Sequence, residues 1–195
     1  PNTCNGYLPG DETDDDGDGY VECTIDPTGW KGVSSVVGGD DCDDSCLGRY
    51  VGAPEICDGI PNTCNGILPA DEMDDDGDGY VECTIAFTGW YGDQSVLGGE
   101  DCDDANETIN PTAVEVCDGL VNVCGDSLSL AEIDDDGDGY VECTIDVGGW
   151  DGDINVVGGE DCDDSEITQY VGAPEICDGI PNTCNGYLPG NEYDD

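Results

Sequence analysis

The cysteines of this chain recur with a spacing of 60 residues, and this spacing constrains the fold more than any other feature. All but Cys46 occupy four registers, which are Cys4, Cys64, Cys124 and Cys184; Cys23, Cys83 and Cys143; Cys42, Cys102 and Cys162; and Cys57, Cys117 and Cys177. A regular period without insertions is typical of a linear array of equivalent modules. We predict repeats over residues 1–60, 61–120 and 121–180. Residues 181–195 nearly repeat residues 1–15, which favours the start of a next repeat within a longer array.

The charge of the chain restricts its partners. There are 49 acidic residues, two basic residues and no histidine, so the formal net charge is −47. Because like charges repel in a compact volume, the folded chain needs either bound cations or an extended shape. Nucleic acid and anionic membranes are poor partners for such a surface, and the sequence contains no run of apolar residues that would span a membrane.

Cysteine content indicates how such a chain folds at all. Apolar residues make up 36% of the sequence, too few for one large core, whereas 14 of the 195 residues are cysteines. This combination is typical of a disulfide scaffold in an oxidising compartment, so we expect an extracellular or cell-surface location. A structural zinc site is disfavoured because the sequence has no Cys-x-x-Cys spacing and no histidine.

Within each repeat, an acidic loop is followed by a short stretch of alternating apolar and polar residues, an Asp-Cys-Asp-Asp cluster and a turn bracketed by cysteines. The alternation predicts a β-hairpin with strands at 20–25 and 30–37 around a turn at 26–29. The predicted fold class is therefore mostly irregular: small-β tandem repeats with short β-hairpins, stabilised by calcium and disulfides, in an extended rod or fibre.

The hairpin also predicts the disulfides. It would bring Cys23 to Cys42, and Cys57 and Cys64 bracket a short turn. Repetition gives the predicted pairs Cys23–Cys42, Cys57–Cys64, Cys83–Cys102, Cys117–Cys124, Cys143–Cys162 and Cys177–Cys184. Cys4 is expected to pair with a residue before this segment. Cys46 has no counterpart in the other repeats, so it is either a cross-link between chains or repeats, a partner of Cys4, or a free thiol.

The clearest chemical signal is the loop Asp-x-Asp-Gly-Asp-Gly-Tyr, which occurs three times. Alternate carboxylates followed by glycine and a backbone carbonyl form the front half of a calcium loop. The predicted ligands are Asp14, Asp16, Asp18 and the Tyr20 carbonyl, with Asp74, Asp76, Asp78 and Tyr80, and Asp134, Asp136, Asp138 and Tyr140. An EF-hand has glutamate at position twelve, where this chain has Ile25. We therefore expect the last ligand from Asp41 or Asp43, and equivalently from Asp101 or Asp103 and from Asp161 or Asp163.

A second group of acidic residues has two interpretations. Either it forms a second metal site or it is solvated surface. Its members are Asp44, Glu55 and Asp58, with Asp104, Glu115 and Asp118, and Asp164, Glu175 and Asp178. Hard oxygen ligands suit calcium best, since copper and zinc prefer nitrogen or sulfur. The predicted cofactor is Ca²⁺, bound with a dissociation constant on the order of 10⁻⁴ to 10⁻³ M.

The order DDDGDGYVEC, DCDD, APEICDG and NTCNG resembles the MopE-type metal-binding repeat of bacterial and archaeal surface proteins, and the aspartate loop resembles thrombospondin type 3 repeats. The resemblance implies an extracellular module rich in cysteine and aspartate, in a family named from a copper-binding member. Its metal loop maps onto residues 14–20 and its acidic cluster onto residues 41–44. The family's final turn is more acidic, because this chain has Pro61, Thr63 and Asn65 there. Copper is not expected, since the chain has no histidine and a single methionine.

The sequence predicts a structural role, in which calcium and disulfides stiffen a surface rod, stalk or filament. The alternative is a calcium-dependent adhesin or ligand-recognition module, with the aromatic residues Tyr20, Trp30 and Tyr50 as candidates. Catalysis is not expected, because no nucleophile and base stand together. Asn106 begins a glycosylation sequon. Predicted partners are calcium ions and either other copies or neighbouring repeats.

Overall fold

The computed structural model describes residues 8–190. These residues fall into two compact units, which divide between Glu107 and Thr108. Regular structure is sparse. It consists of 3₁₀ turns at Gly10–Glu12, Ala70–Glu72 and Leu130–Glu132 and of two strands, β1 at Tyr80–Val81 and β2 at Gly98–Gly99. The mostly irregular fold predicted from the sequence is confirmed. Within the described part of the chain, no helix is long and apolar enough to cross a membrane.

The predicted hairpins are wrong. Strands β1 and β2 pair in parallel, with Tyr80 opposite Gly98 and Val81 opposite Gly99. A Cβ atom on Gly99 would lie 2.1 Å from the Cys83 carbonyl oxygen, and one on Gly98 would lie 2.7 Å from the Tyr80 ring. Only glycines can come this close, so the glycine pair, and not the alternating stretch before it, lies beside the first strand. The same parallel contact recurs as a bridge between residues 140 and 158.

The core is small and partly polar. Its fully buried side chains are valines and asparagines at equivalent positions: Val21, Val81, Val141, Asn62, Asn122 and Asn182. Asn62 accepts a hydrogen bond from the Ile56 amide at 3.0 Å and donates one to Asp58 at 3.3 Å. Because a buried amide is costly unless its hydrogen bonds are made, these bonds hold the cysteine-bracketed turn in one shape.

Every predicted disulfide pair is wrong. The bonds are Cys42–Cys64, Cys57–Cys83, Cys117–Cys143 and Cys162–Cys184, and Cys102 and Cys124 are also disulfide-bonded. Without a hairpin, nothing brings Cys23 to Cys42. The turn also adopts a left-handed conformation at Cys64, with φ of 58°, and Cys64 bonds to Cys42 and not to Cys57.

Three cysteines among residues 8–190 are free thiols: Cys23, Cys46 and Cys177. Cys23 and Cys177 were predicted to be paired, so those two assignments are wrong. Cys46 is exposed, which agrees with the free-thiol alternative. Cys4, and the near-identity of residues 1–15 with 181–195, involve positions outside the described residues.

Each compact unit contains one copy of a junction between a turn and the segment that follows it. In the first unit the turn is residues 57–59 and the segment is residues 83–92; in the second they are residues 117–119 and 143–152. The Cys57–Cys83 disulfide joins them, with Cα atoms 5.9 Å apart. The Ala86 amide donates to the Cys57 carbonyl and the Tyr91 amide to the Asp58 carbonyl, both at 2.7 Å. The junction therefore combines covalent and backbone links.

Glycines allow the close approach within the junction. A Cβ atom on Gly59 would lie 2.5 Å from the backbone of Gly92 and 2.8 Å from the Trp90 ring. Gly119 faces Gly152 and Trp150 at the same separations. Any side chain at these positions would force the two segments apart.

Candidate metal centre

The aspartates of each loop are oriented by hydrogen bonds from the loop's own backbone. Asp14 accepts from the Gly17 amide at 2.7 Å and from the Gly19 amide at 3.2 Å. Asp16 and Asp18 use their Oδ1 atoms to accept amides two residues ahead, at 3.0 and 2.8 Å. Gly17 and Gly19 have φ of 88° and 95°, a region that favours glycine. The spacing of aspartates and glycines thus fixes the loop locally, as it does in the second and third loops.

The second oxygen of several aspartates is buried without a hydrogen-bond donor. In the first loop these atoms are Oδ2 of Asp16, Asp18 and Asp41. The equivalent Oδ2 atoms are also buried without a donor at Asp76, Asp101, Asp136, Asp138 and Asp161. A buried carboxylate oxygen with no partner is costly, so its recurrence in all three loops fits a site that a cation would stabilise.

The acidic cluster at residues 41–44 supplies the ligands that the loop lacks. Candidate ligand atoms of Asp16, Asp18 and Asp41 all lie within 4.8 Å of one another, and so do those of Asp14, Asp16 and Asp44. Asp44 also accepts the Asp15 amide at 3.0 Å, and the equivalent bonds in the other loops are 3.1 and 3.0 Å. Asp16 belongs to both groups, so the geometry suits two cations that share one carboxylate.

The structure distinguishes between the two candidates for the imported ligand. Asp43 accepts the Ser45 hydroxyl at 2.6 Å and pairs with Arg49 at 2.8 Å. These contacts, the Ser45 bond first, lower the pKa of Asp43. Asp163 likewise accepts the Ser165 hydroxyl. Asp41 therefore groups with the loop aspartates Asp16 and Asp18, whereas the carboxylate of Asp43 is occupied by Ser45 and Arg49.

Burial also changes the acidity of several loop and cluster aspartates. Burial, reinforced by the neighbouring carboxylates, raises the pKa of Asp138 to about 6. The pKa rises for the same first cause at Asp18, Asp44, Asp76, Asp101, Asp104, Asp136 and Asp164. Such groups retain protons more readily than ordinary aspartates, and a bound cation would displace those protons.

The second group of predicted residues separates into two sets. Asp44 and its equivalents Asp104 and Asp164 contact the loops through the backbone amides of Asp15, Asp75 and Asp135. Glu55 instead accepts the Asn62 amide at 2.8 Å and the Thr63 hydroxyl at 2.7 Å, while Asp58 accepts the Ile60 amide at 3.0 Å. Glutamate and aspartate in the remaining turns make corresponding bonds: Glu115, Asp118, Glu175 and Asp178. Their oxygens stabilise the cysteine-bracketed turn.

Sequence reasoning missed one acidic residue in each junction. Glu72 is only 3% exposed, and it accepts the Asp58 amide at 3.2 Å and the Gly59 amide at 2.7 Å. Glu132 has the same exposure and binds the second junction in the same way. The signal was a glutamate that recurs two residues before each metal loop. The Tyr20, Tyr80 and Tyr140 carbonyls stay predicted ligands.

Comparison with known proteins gives one match. A family model, Cu-binding_MopE, described as "Putative metal-binding motif", matches residues 41–72, 101–127 and 161–188. No curated protein and no solved structure matches the chain. The likeness to thrombospondin type 3 loops stays a prediction. Each matched segment begins at the aspartate that joins a metal loop and continues through the cysteine-bracketed turn, so three segments of this chain are similar to one metal-binding motif.

Proposed function

We propose that this chain is an extracellular calcium-binding structural protein in which Ca²⁺ ions join each aspartate loop to the acidic cluster that follows it. The observation that supports calcium most directly is the convergence of the buried, donor-free oxygens of Asp16, Asp18 and Asp41. Repeated metal-binding motifs and disulfides fit a metal-binding structural module. The cysteine content favours an oxidising, extracellular location.

The donor chemistry favours calcium over the copper in the family's name. Every ligand atom in the two groups of the first loop is a carboxylate oxygen, and the chain has no histidine. Cys42 and Cys64 lie beside Asp41, but they form a disulfide, so neither offers a thiolate. Ca²⁺ prefers six to eight hard oxygen ligands, which carboxylates, carbonyls and water together can supply. Cu²⁺ prefers nitrogen ligands.

Calcium would act as a structural link between distant segments. Asp16 and Asp41 are far apart in sequence, and few apolar side chains hold the segments between them. Cations would also offset the repulsion among the carboxylates. Repeated links of this kind suit a stiff surface rod, stalk or filament, which is the role we propose. We propose no catalytic role.

Calcium removal tests this function. We expect EDTA to lower the melting temperature and to open the loops at residues 14–20 and 41–44 to proteolysis, and added Ca²⁺, but not Cu²⁺, to reverse both effects. The test variant replaces Asp18, Asp78 and Asp138 with asparagine. The matched control replaces three exposed aspartates, Asp26, Asp93 and Asp153, with asparagine and so removes the same charge.

The test variant is expected to lose the calcium response, while the control keeps it. Unchanged melting and proteolysis in EDTA would refute the calcium scaffold. Calorimetric titration with Ca²⁺, Mg²⁺ and Cu²⁺ in parallel identifies the preferred ion, and tighter binding of Cu²⁺ would refute the choice of metal.

The second candidate is a calcium-dependent adhesin. It is favoured by apolar side chains at the tips of equivalent turns, since Phe87 and Val147 are fully exposed. The aromatic residues first considered for this role have internal contacts: Tyr20 stacks on Tyr50 with centroids 4.6 Å apart, and the Trp30 indole donates to the Val33 carbonyl. Binding to arrays of extracellular glycans and matrix proteins, with Phe87→Ser and Val147→Ser compared with wild type in calcium, tests this candidate. Equal binding by both proteins would exclude a role for these tips.

A further inference from the structure

Disulfides enclose much of this chain, and they limit how far the enclosed parts can be stretched. In the first unit the enclosing bonds are Cys42–Cys64 and Cys57–Cys83, which overlap. In the second unit they are Cys117–Cys143 and Cys162–Cys184. The two Cα atoms of each bond are 5.5–6.0 Å apart, so tension along the chain passes through the sulfur atoms and not through the residues between them.

Two segments lie outside these enclosures, and we call them the open stretches. They are residues 84–101 and 144–161, which contain no cysteine and which none of the described disulfides spans. Bonded cysteines flank both stretches, at positions 83 and 102 and at positions 143 and 162. Tension would therefore act on the two ends of each open stretch, and non-covalent contacts alone hold those ends together.

Apolar packing contributes little to closing the open stretches. In the first of them Asp101 is the only buried residue, and in the second Val156 and the equivalent Asp161 are the buried residues. Burial of apolar surface is the main favourable contribution to most folds. Because it is nearly absent here, polar contacts must provide the resistance to extension.

Backbone hydrogen bonds close each open stretch, but tension would break them one at a time. The Glu100 amide donates to the Cys83 carbonyl at 3.1 Å. The Asp101 amide donates to the Val81 carbonyl at 3.0 Å. Strands β1 and β2 are parallel, so Cys83 and Cys102 both follow the same end of the pair. Tension on these cysteines separates the strands from that end, and bonds that break in sequence resist less than bonds that are loaded together.

Carboxylates provide the remaining link across each open stretch. Asp101 and Asp161 end the two stretches; they are 5% and 7% exposed, and the Oδ2 atom of each is buried without a donor. Burial raises the pKa of Asp101, and Asp78 and Asp76 lie close enough to raise it further. In the first repeat the equivalent ligand atoms lie within 4.8 Å of one another: those of Asp16, Asp18 and Asp41. Without a cation such carboxylates repel and favour opening, whereas a shared cation favours closure.

We propose that each open stretch is an extensible element of a load-bearing tether, and that the calcium-bound carboxylates at its two ends form a latch that keeps it closed. The latch of residues 84–101 consists of Asp76, Asp78 and Asp101. The latch of residues 144–161 consists of Asp136, Asp138 and Asp161. The inference rests on the proposed calcium function and adds a mechanical role to it: calcium determines the tension at which a repeat lengthens, and the disulfides determine how far.

The structure determines the size of each extension. Glu100 lies 17 residues after Cys83, and Glu160 lies 17 residues after Cys143. At about 3.4 Å per residue such a segment extends to about 58 Å, and its paired ends start about 5 Å apart, so each opening adds about 50 Å. Calcium determines the balance between the two states. At free calcium about 100 times the dissociation constant, one bridging ion raises the ratio of closed to open stretches about 100-fold.

Optical tweezers test the latch on the full chain, held by handles at its two ends. In saturating calcium we expect openings of about 50 Å that close again when the tension is lowered. At one fixed tension, EDTA should reduce the ratio of closed to open stretches about 100-fold. Asp101→Asn and Asp161→Asn should each weaken the closure of one stretch in calcium. Their matched controls, Asp93→Asn and Asp153→Asn, remove the same charge at exposed positions in the same stretches and should leave both openings unchanged.

The disulfide limit and the calcium latch are tested separately. Replacing both Cys57 and Cys83 with serine frees a loop with a sequence separation of 26, so the total extension should rise by about 80 Å. An unchanged total extension would overturn the disulfide limit. Unchanged opening in EDTA, or equal effects of Asp101→Asn and Asp93→Asn, would overturn the latch. Calorimetric titration of the same preparation distinguishes this inference from the proposed function: bound Ca²⁺ without an effect on opening refutes the latch alone, whereas no bound Ca²⁺ refutes both.

Discussion

Replacing Asp16 with asparagine separates the contribution of charge from that of shape in the first metal centre. Asp16 belongs to both carboxylate groups, so it is close to Asp14, Asp18, Asp41 and Asp44. Asparagine keeps the Oδ1 acceptor for the amide two residues ahead and removes one negative charge. The variant should bind two fewer Ca²⁺ ions per chain, whereas Asp18→Asn and Asp14→Asn should each lose one.

Asp16→Asn should raise the unfolding free energy in the absence of calcium and lower it when calcium is bound. Unit charges at the 4.8 Å limit of these groups repel by about 0.9 kcal/mol per pair in water. Asp16 forms four such pairs, and partial screening at moderate salt reduces their total repulsion to about 2 kcal/mol. Without metal, the variant should therefore be about 2 kcal/mol more stable than wild type. At free calcium about 100 times the dissociation constant, each lost ion removes about 2.7 kcal/mol. The calcium-saturated variant should then be less stable by about 3 kcal/mol, the difference between these two effects.

Urea unfolding in EDTA and in saturating calcium measures both free energies, and calorimetric titration counts the ions. Asp26→Asn is the matched control, because Asp26 lies exposed in a turn and carries the same charge. It should shift neither ion number nor the calcium-dependent stability. An Asp16→Asn protein that is less stable than wild type in EDTA, or that loses fewer than two ions, would refute a shared carboxylate.

Three further predictions concern proton competition, close packing and a missing donor. Because the pKa of Asp138 is raised to about 6, calcium affinity of the third loop, measured by titration at several pH values, should fall as pH drops through 6. Because the folded state binds this proton more tightly than the unfolded state, the metal-free protein should gain stability as pH falls from about 6 towards the ordinary aspartate pKa of 3.8. Unfolding in EDTA at several pH values would show this. Gly59→Ala should lower the unfolding free energy by roughly 3 kcal/mol or more, because its Cβ atom would overlap the facing backbone. The control Gly66→Ala lies in open space and should cost only roughly 1 kcal/mol, because of its positive φ. Equal costs would refute the close contact. Glu115 Oε1 is buried without a donor, whereas the equivalent oxygen of Glu55 accepts the Thr63 hydroxyl, and Val123 stands where Thr63 does. Val123→Thr should therefore stabilise the chain by about 1 kcal/mol in urea unfolding, and a destabilised variant would contradict this.

The metal loop could be predicted from sequence because its geometry is local. Asp14 bonds to amides three and five residues ahead, and Asp16 and Asp18 bond to amides two residues ahead. Such bonds depend only on residue type and spacing, so the pattern specifies the loop. The different contacts of Asp41 and Asp43 could not be predicted in this way, because they depend on Ser45 and Arg49, which bind the carboxylate of Asp43.

The disulfides could not be predicted because they depend on the path of the chain between the loops. Alternation of residues suggested a hairpin, and Val21 of the first predicted strand is indeed fully buried, but Val33 and Val37 of the second are 58% and 72% exposed. The glycine pair at 38–39 determines where the chain returns, through approaches that no periodicity reveals. With this return, Cys42 bonds to Cys64, and Cys23 is a free thiol.

The recurrent glutamate links the metal loops to the junctions. Glu72 caps the turn amide of Gly59 and lies two residues before Asp74, the first aspartate of the second loop. An ion that fixes Asp74 should restrict the fluctuations of Glu72 and so protect the Gly59 amide from hydrogen exchange. We expect calcium to slow exchange at Gly59 about tenfold or more, if opening becomes at least about 1.4 kcal/mol costlier. Exchange at Gly29, whose bond to Asp26 lies in a separate turn, should change less, and equal slowing at both amides would show that calcium acts on the whole unit and not through Glu72.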